Sequence, residues 1–412
     1  MEVAVALALL FFCVLLLASG AIAFLLIRHC LAALRRRPSA DADPEARAPA
    51  AAAPRHRQPQ PAAAAAKPKQ QQALLIAVKK EAQQQQQAPR RLAWREVEAL
   101  TGGFDEAAVV GRGGSSTVYL ARLLDGSPVA VKVHCWCGGE RRLRAFRQEL
   151  DLLRRLRHPN IVALLAYSDD HEEEGALVLE YLAGGTLADA LHGAAAGTAP
   201  LSWAQRMRIL HDVACALEHL HDGGGGGTST AVVHGDVSAS NVLLDGATGG
   251  GARLCDLGSA CEGFSAAVAP ARATMAVGSP GYADPFFLRT GIVSSKSDVY
   301  DFGVLLLEAI TGLPAAGGGA ASEIENLTAR ILPRVRARGV AGLVDARLGE
   351  GGYDEEEAAD VARLAVECVA AQPGLRPLMA QVRAAIAEKA ARSIAKAGYG
   401  HHIQLSKLLE LT

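Results

Sequence analysis

The stretch VVHGDVSASNVLLD, residues 232–245, carries one acid, Asp236, and one amide, Asn241, five positions apart at the start of an apolar run. A loop that does chemistry and the remnant of such a loop both fit that pattern, so its neighbours have to be read with it. Immediately upstream, LSWAQRMRILHDVACALEHLHD reads as an amphipathic helix whose end delivers the chain to this stretch. Before that, ALVLEYL reads as a buried strand running into a turn at Gly184 and Gly185.

Farther upstream, VVGRGGSSTVYLARLLDGSPVAVKV predicts two strands, Val118 to Leu123 and Val129 to Val133, joined by a turn at Asp125 and Gly126. Gly111 and Gly113 precede them, where backbone amides without a Cβ in the way can approach phosphate oxygens, and Lys132 could reach the same phosphates. Ordinary hairpins contain such glycines too, so the loop alone is a weak signal. Apolar residues at Leu143, Phe146, Leu150, Leu153 and Leu156 then predict one face of a helix. Glu149 lies on that helix, either paired with Lys132 or as one more solvated charge among many arginines.

These pieces, with RHPNIV from Arg157, HGDVSASN from His234, DLG from Asp256, GSPGYADP from Gly278 and SDVYDFGV from Ser297, follow the order of the protein-kinase signatures. The details SDVYDFGVLLLEAITG, GSPGYADPFFLRTG and PGLRP resemble the kinase domains of plant receptor-like kinases of the serine/threonine type, over residues 93–388. The resemblance implies an α+β, two-lobed protein kinase fold, with a sheet-rich lobe to about Leu182 and a helical lobe over 183–388. It implies ATP as phosphoryl donor with Mg2+ or Mn2+, and protein substrates. Lys132 would bind the α and β phosphates, tethered by Glu149, while Asn241 and Asp256 would hold the metal and Asp236 would accept the substrate hydroxyl's proton. Gly111 and Gly113 would cover the phosphates. Val118, Ala130 and Leu243 would sandwich the adenine, Glu180 to Leu182 would present hinge backbone, His234 and Leu257 would pack behind the site, and Asp298 would brace the loop from below.

The match has departures. Gly235 stands where most members carry arginine before the base, so a phosphate on Ser265 or Thr274 has no guanidinium there to grip. Ser238 replaces the lysine that helps hold the γ-phosphate, Ser116 takes the third glycine position, and Ser279 takes the place of the threonine beside the base. Phe286 stands where an acid belongs, which predicts that Arg376 lacks its buried partner. Two functions follow: an active kinase, and a pseudokinase scaffold that binds nucleotide or partners without efficient transfer. The five matched residues favour the first, and Gly235, Ser238 and Phe286 the second.

Outside this region, Val3 to Ile27 carries no charge and as a helix would be about 37 Å long against a hydrocarbon core of about 30 Å. The run is too long for a signal-peptide core and follows Glu2, so residues 3–27 are read as an uncleaved transmembrane anchor. Arg28, Arg35, Arg36 and Arg37 mark its cytoplasmic flank, leaving residues 1–2 as an extracellular stub and placing the kinase at the plasma membrane. A receptor kinase or co-receptor would then supply any ectodomain. Residues 28–92, rich in Ala, Pro and Gln, read as a disordered linker whose 13 basic against 4 acidic residues between Arg28 and Arg91 suit an anionic lipid surface. Leu74 to Val78 is an apolar island within it, open to a docking role. Residues 389–412 form a tail.

Composition closes off other classes. Half the chain is apolar, enough for a sizeable core, and the net charge of −1 with no basic and aromatic cluster excludes a nucleic-acid binder. The eight cysteines lack zinc-finger or disulfide-framework spacing and read as reduced thiols, with Cys215, Cys255 and Cys368 as small buried hydrophobes. Glycine-rich insertions at 223–227, 246–251 and 317–319 fall between elements as surface loops.

Overall fold

β-Branched residues such as Val129, Val131 and Val133 suit a pleated backbone, and they lie buried at the centre of a six-stranded sheet. The computed structural model describes residues 88–397 apart from 115, 137–138, 194–198, 225–229, 247–250, 264–277 and 318–325. The anchor at 3–27, the linker before 88, Ser265, Thr274 and the tail beyond 397 lie outside the described residues. Among the described residues no helix is long and apolar enough to cross a membrane.

The described residues begin with β1 (Arg90–Arg91) and helix α1 (Trp94–Leu100), then β2 (Val109–Arg112), β3 (Ser116–Arg122) and β4 (Pro128–Cys135). Helix α2 (Glu140–Arg155) precedes β5 (Leu164–Ser168) and β6 (Glu174–Glu180). The sheet order is β1-β5-β6-β4-β3-β2. The β3 and β4 strands fall on the two runs predicted as strands, with Gly126 taking φ +84° in the turn between. Phe146, Leu150, Leu152 and Leu153 of α2 are buried, while its arginines face out. This lobe starts earlier than residue 93: β1 pairs in parallel with β5, and Arg91 Nε lies 2.6 Å from Asp169 Oδ1. Two arginines that look like linker charge thus extend the sheet.

The second lobe is helical. It runs through α3 (Leu187–His192), α4 (Trp203–His221), β7 (Val232–Val233), β8 (Val242–Leu244), β9 (Ala252–Leu254) and β10 (Cys261–Glu262). Helices α5 (Pro285–Thr290), α6 (Ser295–Thr311), α7 (Leu327–Arg338), α8 (Glu355–Cys368) and α9 (Met379–Lys389) complete it. Ser202 caps α4 by accepting from Gln205 N, and the Gln205 side chain returns a bond to the Ser202 N–H. From Ser297 to Thr311 every residue of α6 is buried, so this helix is the lobe's central post. Strands β8 and β9 form one antiparallel pair and β7 and β10 another. Residues 391–397 remain helical, with Ser393 bonded to Glu357, so the first part of the expected tail packs on this lobe. Cys368 is fully buried, whereas Cys215 and Cys255 are only half-buried.

The expectation that Phe286 leaves Arg376 unpaired is overturned. Phe286 is half-buried, but Asp284, two residues earlier, takes the guanidinium with both oxygens, Nη1–Oδ2 at 2.8 Å and Nη2–Oδ1 at 2.7 Å. Asp284 also caps α5 through Phe286 N, so one short acid does both jobs. Arg376 further donates to Ala370 O and Lys296 O and lies 5.0 Å from the Tyr300 ring centre. Breaking a buried pair leaves an uncompensated charge. Asp284→Ala is therefore expected to lower stability by about 3–5 kcal/mol in urea unfolding, and a loss below about 1 kcal/mol would contradict the pairing.

Candidate active site

Directly opposed residues of an antiparallel pair, and alternate residues of one strand, share a face. Val118 opposes Lys132, and Ala130 lies two before it, so all three side chains stand on the same face of the β3–β4 pair. Lys132 Nζ there meets two carboxylates from other elements: Glu149 of α2 at 2.9 and 3.1 Å, and Asp256, after β9, at 2.9 Å. Glu149 is 1% exposed and Lys132 7%. Burial works against the ammonium, but the two carboxylates outweigh it and hold its pKa above the ordinary lysine value. Burial also pushes Asp256 up, and the Lys132 ammonium overrides it to leave the carboxyl at about 2. His134 lies beside this group, where burial and the Lys132 charge push the imidazole down to about 3 and keep it neutral.

Asp256 reaches Lys132 from a left-handed backbone, φ +64° and ψ 75°, with its side chain accepting from Gly258 N at 3.3 Å. A non-glycine residue pays strain for that conformation, which the surrounding structure must impose. DLG, so read, is a turn that aims a carboxylate.

The opening stretch supplies the second half of the site. Asp236 Oδ1 accepts from Ser279 N at 2.7 Å and Ser279 Oγ at 2.9 Å, and its Oδ2 accepts from Asn241 Nδ2 at 3.1 Å. Asn241 Nδ2 also donates to Asp236 O at 2.8 Å, closing the loop on itself. Ser238, which is 1% exposed, lies with its hydroxyl 3.0 Å from that of Ser279. Below, Asp298 at the start of α6 accepts from His234 N and Gly235 N, each at 2.8 Å, and pairs with His221 Nε2 at 2.8 Å. His234 and Leu257 are buried behind the site. Gly235 has φ +77°, and a Cβ there would meet Ser259 O at 2.7 Å. Glycine removes strain at this position, so the loop is held from Asp298.

Leu243 on β8 is half-buried, as are Val118 and Ala130, and Leu182 is buried beyond the end of β6. Gly111 lies within β2 and Gly113 just after it, where the β2–β3 turn is closed by Gly113 N on Ser116 O at 2.8 Å. Glu180 differs from a bare hinge: its carboxylate accepts from Ala163 N at 2.8 Å and Arg253 Nε at 3.1 Å, and its N–H donates to Ala163 O at 3.1 Å. That N–H is not free for a ligand.

The donor set fits a hard divalent cation. Glu149, Asp236 and Asp256 outnumber the single ammonium, leaving an excess of negative charge. The Asp256 side chain is 43% exposed, and Asn241, whose amide N–H groups go to Asp236, also carries a carbonyl oxygen. Oxygens of this kind suit Mg2+ or Mn2+.

Comparison with known proteins agrees with this geometry: residues 104–384 match the model of the protein kinase domain. The chain belongs to the protein kinase family. Over 306 residues it is 50% identical to Salt tolerance receptor-like cytoplasmic kinase 1 of Oryza sativa subsp. japonica, across 73% of this chain and 80% of that protein. A "Probable receptor-like protein kinase" of Arabidopsis thaliana is 39% identical over 303 residues, across 70% of this chain and 85% of that one. The chain is thus a protein kinase of the two-lobed fold.

Three residues escape the sequence reading. Asp284 carries a local signal, an acid directly before proline at a helix start. Tyr282 bridges the loop to α6, its hydroxyl accepting from Ala239 N at 2.9 Å and donating to Glu308. Asp301, 7% exposed on α6 and pushed well above the ordinary carboxyl range by burial, lines a cavity under Gly235 that no linear pattern reveals. For the Asp236–Ser279 contact, a hydrogen bond to a charged group contributes about 1.5–3 kcal/mol. Ser279→Ala is accordingly expected to lower kcat about tenfold or more, while Ser238→Lys, adding a cation beside the loop, raises it. Unchanged kcat in Ser279→Ala would contradict the role given to this hydroxyl.

Proposed function

We propose that this kinase transfers the γ-phosphoryl group of ATP to serine or threonine hydroxyls of cytosolic proteins. The observation that carries this reading is the Lys132–Glu149–Asp256 contact, formed with Asp236 and Asn241 already bonded to one another. Lys132, fixed by Glu149, binds the α and β phosphates; Gly111 and Gly113 bring backbone amides to them. Val118, Ala130 and Leu243 enclose the adenine, with Glu180 to Leu182 at its edge. Asp236 receives the hydroxyl proton as the new P–O bond forms and the bond to the β-phosphate oxygen breaks. Asn241 and Asp256 would hold Mg2+ or Mn2+, which supplies charge neutralisation on the phosphates when bound.

The uncharged run 3–27 and the basic residues after it support an anchor in the plasma membrane, with the kinase on its cytosolic side and the linker along anionic lipid. A receptor or co-receptor kinase is the partner this placement calls for; both relatives are named receptor-like, one of them a cytoplasmic kinase. Because Gly235 leaves Asp298 to hold the loop, activity should not depend on phosphate at Ser265 or Thr274.

The test is the full-length chain with labelled ATP, Mg2+ or Mn2+ and a serine/threonine substrate. Incorporation at least a hundredfold above Asp256→Asn is expected, with the wild-type chain in the membrane fraction and a chain lacking 1–37 in the soluble one. Incorporation equal to Asp256→Asn would instead favour the pseudokinase scaffold. A soluble full-length chain would contradict the anchor.

A further inference from the structure

Beside α2 lies a groove that phosphoryl transfer does not use. Trp136, Leu143, Phe146 and Leu150 form its apolar wall, and Asp169, His171 and Glu172 its opposite rim. Trp136 and Leu143 are only half-buried, and the rim is fixed to the wall by Trp136 Nε1 donating to Glu172 O at 2.8 Å. The rim belongs to the acidic run DDHEEE, residues 169–174, which leads from the end of β5 into the first residue of β6.

The same rim is where the chain joins the sheet. Asp169 lines the groove and holds Arg91 at 2.6 Å, and Trp94 stacks on His171 at 4.7 Å between ring centres. The sequence leading to that point contains LLIAVKK, residues 74–80, an apolar island followed by two lysines in an otherwise Ala, Pro and Gln-rich linker. Eleven residues, 79–89, separate the island from β1 and can span up to about 36 Å. The island is therefore tethered within reach of the groove at a high effective concentration.

We infer that Leu74–Val78 docks in this groove against α2, with Lys79 and Lys80 on the acidic rim. Polarity sets the direction: the lysines lie nearer the point of attachment, as the acids do, while Arg147 on the α2 side repels them. Leu74, Leu75 and Ile76 then cover Trp136 and Leu143, burying apolar surface on both sides. Helix α2 carries Glu149, so a docked island braces the helix that positions Lys132. That consequence for transfer rests on the kinase reading above, whereas the docking does not.

The test places the photo-crosslinker p-benzoyl-phenylalanine at position 76 of the full-length chain in detergent micelles, with melting curves as the check of folding. Irradiation is expected to join position 76 to the peptide spanning 136–150 of the same chain. Lys79→Glu with Lys80→Glu should lower the yield at least threefold, and adding Asp170→Lys with Glu172→Lys should restore it. Leu143→Glu should lower it as well, and hydrogen exchange across α2 should quicken when Leu74 and Ile76 are both changed to Asp. Crosslinks to another region, crosslinks only between isotopically distinct copies, or a yield indifferent to the charge reversals would each overturn the docking. A chain that crosslinks as described but transfers no phosphate keeps the docking and removes the kinase reading.

Discussion

An ammonium buried to 7% exposure is costly unless carboxylates surround it, and Lys132 is satisfied only when β4, α2 and the turn after β9 all stand in register. Each element is positioned by its own packing: Val131 and Val133 in the sheet, Phe146 and Leu150 under α2, Leu254 and Leu257 on either side of Asp256. The contact therefore reports on the alignment of both lobes at once. The left-handed backbone at Asp256 belongs to the same constraint, since that strain persists only where the aspartate is gripped.

The second half of the site is held by a different device. Asp298 receives two backbone N–H groups of the loop from below, and Ser279 and Asn241 fix Asp236 from the sides. Gly235 fits because the backbone there is left-handed and a side chain would press on Ser259 O. What the loop gives up is an arginine through which a phosphate could steer it. Helix α2 is the element on which Lys132 depends, and the groove proposed to receive Leu74–Val78 lies against it.

Much of this was legible in the residues. The strand-like runs of β3 and β4 and the apolar spacing of α2 come from local backbone geometry, so both were readable without a partner. Order and spacing picked out Lys132, Glu149, Asp236, Asn241 and Asp256; in the structure Lys132 meets Glu149 and Asp256, and Asp236 meets Asn241. The Arg376 partner was not. Acid position relative to the signature pointed to Phe286, while cap geometry places the acid at Asp284. Strand β1 was missed because its partner β5 lies more than seventy residues away and its own residues are both arginine. Glu180 was read for its backbone alone, and its carboxylate is tied to Ala163 N and Arg253.

The most direct test of the account is a double-mutant cycle on kcat/KM for ATP with the full-length chain, using Lys132→Met, Glu149→Gln and the pair together. If Glu149 acts only by holding Lys132, each single change lowers kcat/KM strongly, about a hundredfold for Lys132→Met, and the double mutant falls no further than Lys132→Met alone. Independent, multiplicative losses would show that the two residues do not work as one unit, and would contradict the interaction on which this description of the site is built.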